Sequence, residues 1–221
     1  MIVITGGSSG LGAALAKRLD AVGQAVLLTG RSREKLAAVD AQLSEQSSYQ
    51  TCDLANHSSV SDLFDGFQDQ PTTLIHCAGS GYFGLLEQQE PDAIQALIDN
   101  NLKSAINVLQ EAVKRYQDKP VNVVMVMSTA AQQPKAQEST YCAVKWAVRG
   151  LLESVRLELK GKPMKLIAVY PGGMDTEFWP SSGKEVNTSG FMGAEDVAEM
   201  IHSSLSSLGN GFVSDITINR V

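Results

Sequence analysis

The sequence lacks the features of disulfide-linked, metal-binding or membrane-spanning chains. It has only three cysteines, with no C-x-x-C pair and none near a histidine at metal-ligand spacing. No apolar run reaches the ~18 residues that a membrane span needs. The chain opens directly on the apolar segment "MIVIT", so we expect no signal peptide ahead of the fold. These absences predict a cytoplasmic protein with free thiols, no metal site and no membrane anchor.

Basic residues are also fewer than acidic ones. Eighteen Lys and Arg residues stand against 24 Asp and Glu residues, which gives a net charge of -6 and a pI near 5.1. Nucleic-acid surfaces need clustered Lys and Arg to neutralise phosphates. We therefore expect no nucleic-acid partner, and any phosphate site must be local.

Short apolar segments alternate with helical patterns along the 221 residues. Such alternation predicts a parallel sheet with helices on both faces. No internal repeat and no linker composition divides the chain. The predicted strands are "IVIT", "AVLLT", "YQTCD", "TLIHCA", "VNVVMVMS", "KLIAVYP" and "FVSDITIN".

Three long segments lie late in this pattern. Residues 91–116 and 139–161 are the longest predicted helices. The stretch "PGGMDTEFWPSSGKEVNTSGFMG", residues 171–193, is irregular and rich in Gly, Ser and Thr. Loops of this length inside a compact domain are usually functional. We therefore predict one domain over residues 1–221 with a substrate loop over about 172–193.

A glycine-rich stretch, "TGGSSGLG", separates the first predicted strand from the first helix. Glycines there permit a tight turn and let backbone N–H groups at a helix N-terminus approach a pyrophosphate. An ordinary strand-to-helix turn is the alternative, although the motif does open a βαβ unit as dinucleotide binding requires. The pattern predicts a Rossmann-like α/β fold, a doubly wound parallel sheet of about seven strands. The candidate cofactor-binding residues in this loop are Gly6, Ser8, Ser9, Gly10, Leu11 and Gly12.

The end of the second strand bears on the choice of dinucleotide. NAD sites place an Asp or Glu there to bind the ribose 2′-OH, whereas this chain has Gly30 followed by Arg31. An arginine can hold a 2′-phosphate through charge-assisted bonds. We therefore expect NADP(H) rather than NAD(H). The alternative is that Arg31 is a solvated residue at the start of a helix.

The segment "TYCAVKWAV" places Tyr141 and Lys145 four residues apart, on one face of a helix. Tyrosine has a reference pKa of about 10, and an ammonium within about 4–6 Å lowers it by roughly 1–3 units. The pair therefore predicts a general acid, although this spacing also arises by chance. Asn100 and Asn101 occupy an unfavourable position inside a helix, which predicts a compensating local feature.

The motifs together resemble the short-chain dehydrogenase/reductase family over essentially the whole chain. In order they are "TGGSSGLG", "CDL", "CAG", "NNL", Ser128, "YCAVK" and "YPGGMDT". The resemblance implies hydride transfer between a nicotinamide and a ketone or aldehyde. It implies a helix distortion at Asn101. Its catalytic tetrad corresponds to Asn101, Ser128, Tyr141 and Lys145.

The same resemblance extends the cofactor site beyond the glycine loop. Purely structural roles are the alternatives, since Asp53 can cap a helix and Ser128 can be a turn hydroxyl. The implied contacts are Asp53 and Leu54 at the adenine end, Ala78 and Gly79 on the adenosine side, Tyr141 and Lys145, and Pro171, Gly172 and Thr176 near the nicotinamide.

The chain departs from the family pattern at two places. "HCAG" puts His76 and Cys77 where two asparagines often tie the central strands together, which questions local stability more than catalysis. The chain ends at "SDITINRV", earlier than many members. That ending predicts a more open pocket and favours a homodimer through the long helices, with a tetramer less certain.

The substrate is poorly specified by the sequence. "SGYFGLL", Ala136 with Gln137, and the aromatic residues of the substrate loop are candidates for an apolar pocket. The predicted partner is a small-molecule carbonyl or alcohol. The alternative function is a non-catalytic NADP-binding sensor or scaffold. The loop residues in question are Phe178, Trp179, Phe191 and Met192.

Overall fold

The computed structural model describes residues 1–206 and 211–221. Seven parallel strands form one sheet in the order β3-β2-β1-β4-β5-β6-β9, and β7 pairs with β8 in a separate two-stranded sheet. The predicted Rossmann-like fold class is therefore confirmed. The strands are β1 (Ile2–Thr5), β2 (Val26–Gly30), β3 (Ser48–Thr51), β4 (Thr73–His76), β5 (Asn122–Val126), β6 (Lys165–Pro171), β7 (Met174–Asp175), β8 (Met192–Gly193) and β9 (Asp215–Ile218).

Helices cover both faces of the main sheet because successive strand residues point to opposite sides. In β1, Val3 belongs to one buried cluster and Ile2 and Ile4 to the other. Helices α3, α5 and α6 pack on the first face, and α1, α2 and α7 on the second. The helices are α1 (Gly10–Asp20), α2 (Arg33–Asp40), α3 (His57–Asp65), α4 (Pro91–Ile98), α5 (Ser104–Tyr116), α6 (Ser139–Glu158) and α7 (Ala194–Ser206).

Burial on both faces explains why the central strands are continuously apolar. All residues of β1 and β2 are buried, whereas the edge strand β3 is largely exposed. The strand order reverses direction between β1 and β4, which pair directly. In such sheets a crevice opens at this switch point, beyond the carboxyl ends of the strands.

The predicted helix over residues 91–116 is not regular. A π-helical turn, Asp99–Lys103, lies between α4 and α5. Asn101 Nδ2 donates to the Leu97 carbonyl at 2.9 Å and to the Ser80 carbonyl at 3.0 Å, and Ser104 Oγ donates to the Asn100 carbonyl at 2.7 Å. The helix distortion expected at Asn101 is thus confirmed, and these side-chain bonds offset the poor helix propensity of asparagine.

Two of the predicted elements are longer than the observed ones. The long helix α6 ends at Glu158, before the predicted end at Gly161, which adopts the left-handed φ of 84°. The last strand is confined to Asp215–Ile218. Within the described residues, no helix combines the length and apolar character required to cross a bilayer.

Candidate active site

A cleft of about 850 Å³ opens at the carboxyl ends of the parallel strands. The loops after β1, β2, β3, β4, β5 and β6 and the start of α6 contribute its walls. Nearly every predicted site residue lies on it; Asn101 does not. The predicted residues that line it are Gly6, Ser8, Ser9, Gly10, Leu11, Gly12, Arg31, Asp53, Leu54, Ala78, Gly79, Ser128, Tyr141, Lys145, Pro171, Gly172 and Thr176.

The glycine loop fits a dinucleotide pyrophosphate. A Cβ on Gly6, whose φ is +68°, would lie 2.6 Å from the Ala78 nitrogen, and one on Gly12 would lie 2.2 Å from the Gly6 carbonyl oxygen. Glycine is therefore required where the loop packs against the turn after β4 and against α1. Ser9, the N-cap of α1, makes no side-chain cap bond. The free N–H groups of this helix end suit an anion.

Arg31 and Asp53 line the cleft beyond the ends of β2 and β3. Asp53 does not cap α3, because Asn56 does so by accepting a bond from the Ser59 N–H at 3.2 Å. Asp53 Oδ1 instead accepts from the Ala55 N–H at 3.1 Å in a local turn. The N-cap of α2 is Ser32, so Arg31 precedes that helix and is exposed at the cleft.

Ser128, Tyr141 and Lys145 form the centre of the cleft. Tyr141 and Lys145 are each 6% exposed, and Lys145 Nζ lies 5.6 Å from the centroid of the Tyr141 ring. The side chain of Ser128 lies close enough to Tyr141 to affect the pKa of the phenol. Ser128 Oγ also accepts from the Ala130 N–H at 3.1 Å, so it is a turn hydroxyl as well. A strand end and a helix therefore bring these three groups together.

Burial dominates the titration of this pair. It raises the pKa of Tyr141 above its usual value, with further upward effects from Glu138 and Cys142, while the nearby Ser128 hydroxyl opposes the rise. Burial lowers the pKa of Lys145 to about 8. The expected lowering of the Tyr141 pKa by Lys145 is therefore wrong for the protein alone, since loss of hydration penalises the phenolate more than its neighbours stabilise it.

Asn101 stands behind the cleft wall. It is buried, and a Cβ on Gly79 would lie 2.8 Å from Asn101 Oδ1 and 3.2 Å from Lys145 Nζ. Among the described residues, Asn101 Oδ1 finds no hydrogen-bond partner. Only a glycine at position 79 leaves room for Asn101 and Lys145 to approach the cleft together. Asn100 lies on the cleft itself, and its Nδ2 donates to Ser80 Oγ at 3.2 Å.

The cleft next to Tyr141 is lined by aromatic side chains, but not by all of the predicted ones. Phe178 and Trp179 line the cleft together with Phe83, whose ring centroid lies 5.2 Å from that of Tyr141. Phe191 packs on Trp179 from outside the lining, at 5.3 Å between centroids. Met192 is also outside it, and of "SGYFGLL" only Ser80 and Phe83 line the cleft.

In the loop before Tyr141, the residues that line the cleft are not the predicted ones. Ala136 and Gln137 are exposed and do not line the cleft, whereas Lys135 and Glu138 do. Gln137 has a φ of +64°, which turns the chain just before α6. Non-glycine residues seldom adopt this conformation. No local pattern therefore signalled which side chains of this loop face inward.

His76 ties the two central strands together. Its Nδ1 lies 2.8 Å from Thr5 Oγ1 across the β1–β4 pair. Its Nε2 is buried without a hydrogen-bond partner among the described residues. Burial, aided by the charge of Lys145, lowers the pKa of His76 to about 3. His76 is therefore a neutral core residue at neutral pH.

Because His76 is buried in its neutral form, we expect the folded protein to lose stability at acid pH. Unfolded His76 binds a proton below about pH 6.5, whereas the folded residue does so only near pH 3. The stability contribution is thus lost as pH falls below 6.5, at up to about 1.4 kcal/mol per pH unit. The free energy of unfolding, measured with urea, should fall between about pH 7 and pH 5. In His76→Asn we expect this fall to be smaller than in the wild type by roughly 2 kcal/mol. His57→Asn, which alters an exposed histidine, is the control; equal acid losses in wild type and His76→Asn would contradict the prediction.

A glycine loop beside a buried tyrosine and lysine is the arrangement expected of a nicotinamide-dependent oxidoreductase. The sequence model of the family described as short chain dehydrogenase matches residues 1–187. The chain belongs to the short-chain dehydrogenase/reductase family.

Individual relatives agree with this assignment. The crystal structure of a short-chain dehydrogenase/reductase from Vibrio parahaemolyticus is 65% identical, covers 100% of both chains and has a TM-score of 0.93. The chain is similar to a 3beta-hydroxysteroid dehydrogenase from Mediterraneibacter gnavus, with 31% identity over 85% of this chain and 71% of the relative. It is also similar to an NADPH-dependent pterin aldehyde reductase from Arabidopsis thaliana, with 29% identity over 81% and 77% of the two chains.

Proposed function

We propose that the protein reversibly reduces a ketone or aldehyde with NADPH, and that Tyr141 is the general acid. The observation that carries this proposal is that Ser128, Tyr141 and Lys145 line one cleft together with the glycine loop, with Lys145 Nζ 5.6 Å from the centroid of the Tyr141 ring. When bound, NADPH supplies the hydride. The residues of the chain must then hold the carbonyl and deliver a proton to its oxygen.

The site has the parts for that proton transfer. The raised pKa of Tyr141 keeps the phenol protonated near neutral pH, as a proton donor must be. Ser128 is placed to share a hydrogen bond with the carbonyl oxygen and so orient it toward Tyr141. Lys145 is placed to support the cofactor ribose and to stabilise negative charge that develops on the phenol. In the alcohol-oxidising direction the same groups act in reverse.

Turnover of a carbonyl panel tests this function. Loss of NADPH absorbance is followed with short ketones, keto acids, aromatic aldehydes and cyclic ketones, with NADH in parallel. We expect NADPH-dependent reduction of at least one class. Tight NADPH binding with no turnover across the panel would refute the enzyme and favour the sensor.

The preference for NADPH rests on Arg31. No carboxylate occupies the end of β2, where Gly30 lies beside Ser8, and Arg31 is exposed at the adenosine end of the cleft. A guanidinium there favours a 2′-phosphate, while a carboxylate would repel it. The name of the Arabidopsis relative, an NADPH-dependent reductase, supports the same choice.

Arg31→Ala should therefore change cofactor selection. We expect kcat/KM for NADPH to fall roughly 10- to 100-fold, the usual size of a lost charge-assisted hydrogen bond, and that for NADH to change less than about threefold. Initial rates with each cofactor measure this. Arg33→Ala, which removes a neighbouring exposed arginine outside the cleft, should leave both values unchanged. Equal use of the two cofactors by the wild type would overturn the assignment.

A homodimer through the long helices remains a proposal. Exposed apolar side chains on α5 and α6 support it: Ile106 is 40% exposed, Trp146 45% and Leu157 77%. Burying such residues against a second copy would remove apolar surface from water.

A further inference from the structure

Acidic groups on the cleft near the substrate end are already neutralised. Glu138 and Glu177 both line it. Glu138 Oε1 lies 3.5 Å from Lys184 Nζ, and Glu177 Oε2 lies 3.2 Å from Lys35 Nζ. Neither carboxylate is therefore available as the counter-ion of a further cation.

Lys135 lines the cleft and has no carboxylate partner among the described residues. It is half-buried on the cleft, and its Nζ donates to Thr129 Oγ1 at 3.1 Å. In the part of the chain that the structure describes, no carboxylate lies within 4.0 Å of it. The other cations there have roles or partners: Lys35 pairs with Glu177, Lys145 stands at Tyr141, and Arg31 lies at the adenosine end. A partly desolvated ammonium with only a hydroxyl partner favours binding of an anion.

The position of this lysine links it to the reacting end of the substrate. Thr129, its partner, directly follows Ser128, which lines the cleft together with Tyr141. The N–H of Glu138, three residues before Tyr141, donates to the Lys135 carbonyl at 3.2 Å. The ammonium is therefore carried by the short loop that joins the two proton-handling residues, on the cleft that Phe83 and Trp179 also line.

We propose that Lys135 binds a carboxylate on the substrate, so that the enzyme acts on a short keto acid and the matching hydroxy acid. This inference rests on the proposed function and deepens it. A single ammonium with one neutral hydroxyl suits a monoanionic carboxylate, whereas phosphate sites usually gather several donors or a bidentate arginine. The neutralised state of Glu138 and Glu177 removes the repulsion that such a substrate would otherwise meet.

Acetoacetate and methyl acetoacetate test the proposal, because they share a ketone and differ in charge. We expect wild-type kcat/KM to be at least about 10-fold higher for the acid. Lys135→Met should lower kcat/KM for the acid roughly 10- to 100-fold, mainly through KM, and alter that for the ester less than about threefold. Lys135→Arg should retain the preference. Lys119→Met, the same charge change at an exposed lysine outside the cleft, should behave as wild type.

Binding separates failure of this inference from failure of the proposed function. Tryptophan fluorescence, with Trp179 on the cleft, follows titration with 3-hydroxybutyrate and its methyl ester whether or not turnover occurs. Selective loss of acid binding in Lys135→Met supports the inference even if no ketone is reduced. An ester bound or reduced as well as the acid, or equal losses for both in Lys135→Met, overturns it while ketone reduction stands. Thermal melts of Lys135→Met and Lys135→Arg verify folding.

Discussion

Tyr141→Phe is expected to lower kcat for carbonyl reduction by roughly 10³-fold, within the range of lost general acid catalysis. The phenol is the proton donor, and phenylalanine keeps the ring that packs against Phe83 and Phe178 at centroid distances of 5.2 and 5.9 Å. The fold and the NADPH site should therefore survive. We expect the Kd for NADPH to change by less than about threefold. Single-turnover rates and fluorescence titration with NADPH give the two quantities.

Tyr49→Phe is the matched control for this substitution. Tyr49 lies on the edge strand β3, away from the cleft, and loses the same hydroxyl. Its kcat should equal that of the wild type. Near-normal turnover by Tyr141→Phe would remove Tyr141 from the mechanism while leaving the dinucleotide site unaffected.

Lys145→Met is expected to lower kcat/KM for NADPH roughly 10²- to 10³-fold, because both cofactor binding and proton transfer lose a cation. The substitution also makes a pH prediction. Burial lowers the pKa of Lys145 to about 8, so the ammonium is present below that pH and is lost as pH rises through it. Wild-type kcat/KM for NADPH should fall above about pH 8, and Lys145→Met should not show this fall.

A pH profile of kcat/KM from about pH 6 to about pH 10 measures the effect, since this ratio reports groups in the free enzyme. Lys145→Arg is the control. It keeps the charge over the whole range, so any activity that it retains should not decline near pH 8. An alkaline decline that persists unchanged in Lys145→Met would assign the titration to another group.

The features that the sequence predicted correctly are those set by residues close to one another in the chain. The apolar run of β1, the glycine loop and the four-residue spacing of Tyr141 and Lys145 are local patterns. The structure buries β1 in the core and brings the glycine loop, Tyr141 and Lys145 to one cleft. Ser128 was identified by the resemblance to the short-chain dehydrogenase/reductase family, and its place after a strand agrees with that position, because parallel strands end at the same edge of a sheet. The structure brings Ser128 and Tyr141, from two different elements, to the same cleft.

The parts that sequence reasoning missed depend on tertiary structure. The pKa of Tyr141 moves upward because the surrounding elements bury it, and no spacing rule conveys burial. Lys135 and Glu138 face the cleft while Ala136 and Gln137 do not, as a consequence of the left-handed backbone at Gln137. The catalytic roles and the single-domain organisation over residues 1–221 stay predictions.

The π turn at Asp99–Lys103 also bears on how the chain tolerates changes in length. A turn closed by i→i+5 bonds holds one residue more than an α-helical turn, so it is equivalent to a single-residue insertion. Deleting one residue there would restore a regular helix. Because the wider turn already absorbs the extra residue, α4 and α5 would keep their buried faces after the deletion. The loss would be local, since the turn that holds Asn101 behind the cleft wall, near Lys145, would close. Chain length at this point therefore controls the position of Asn101 more than the packing of α5.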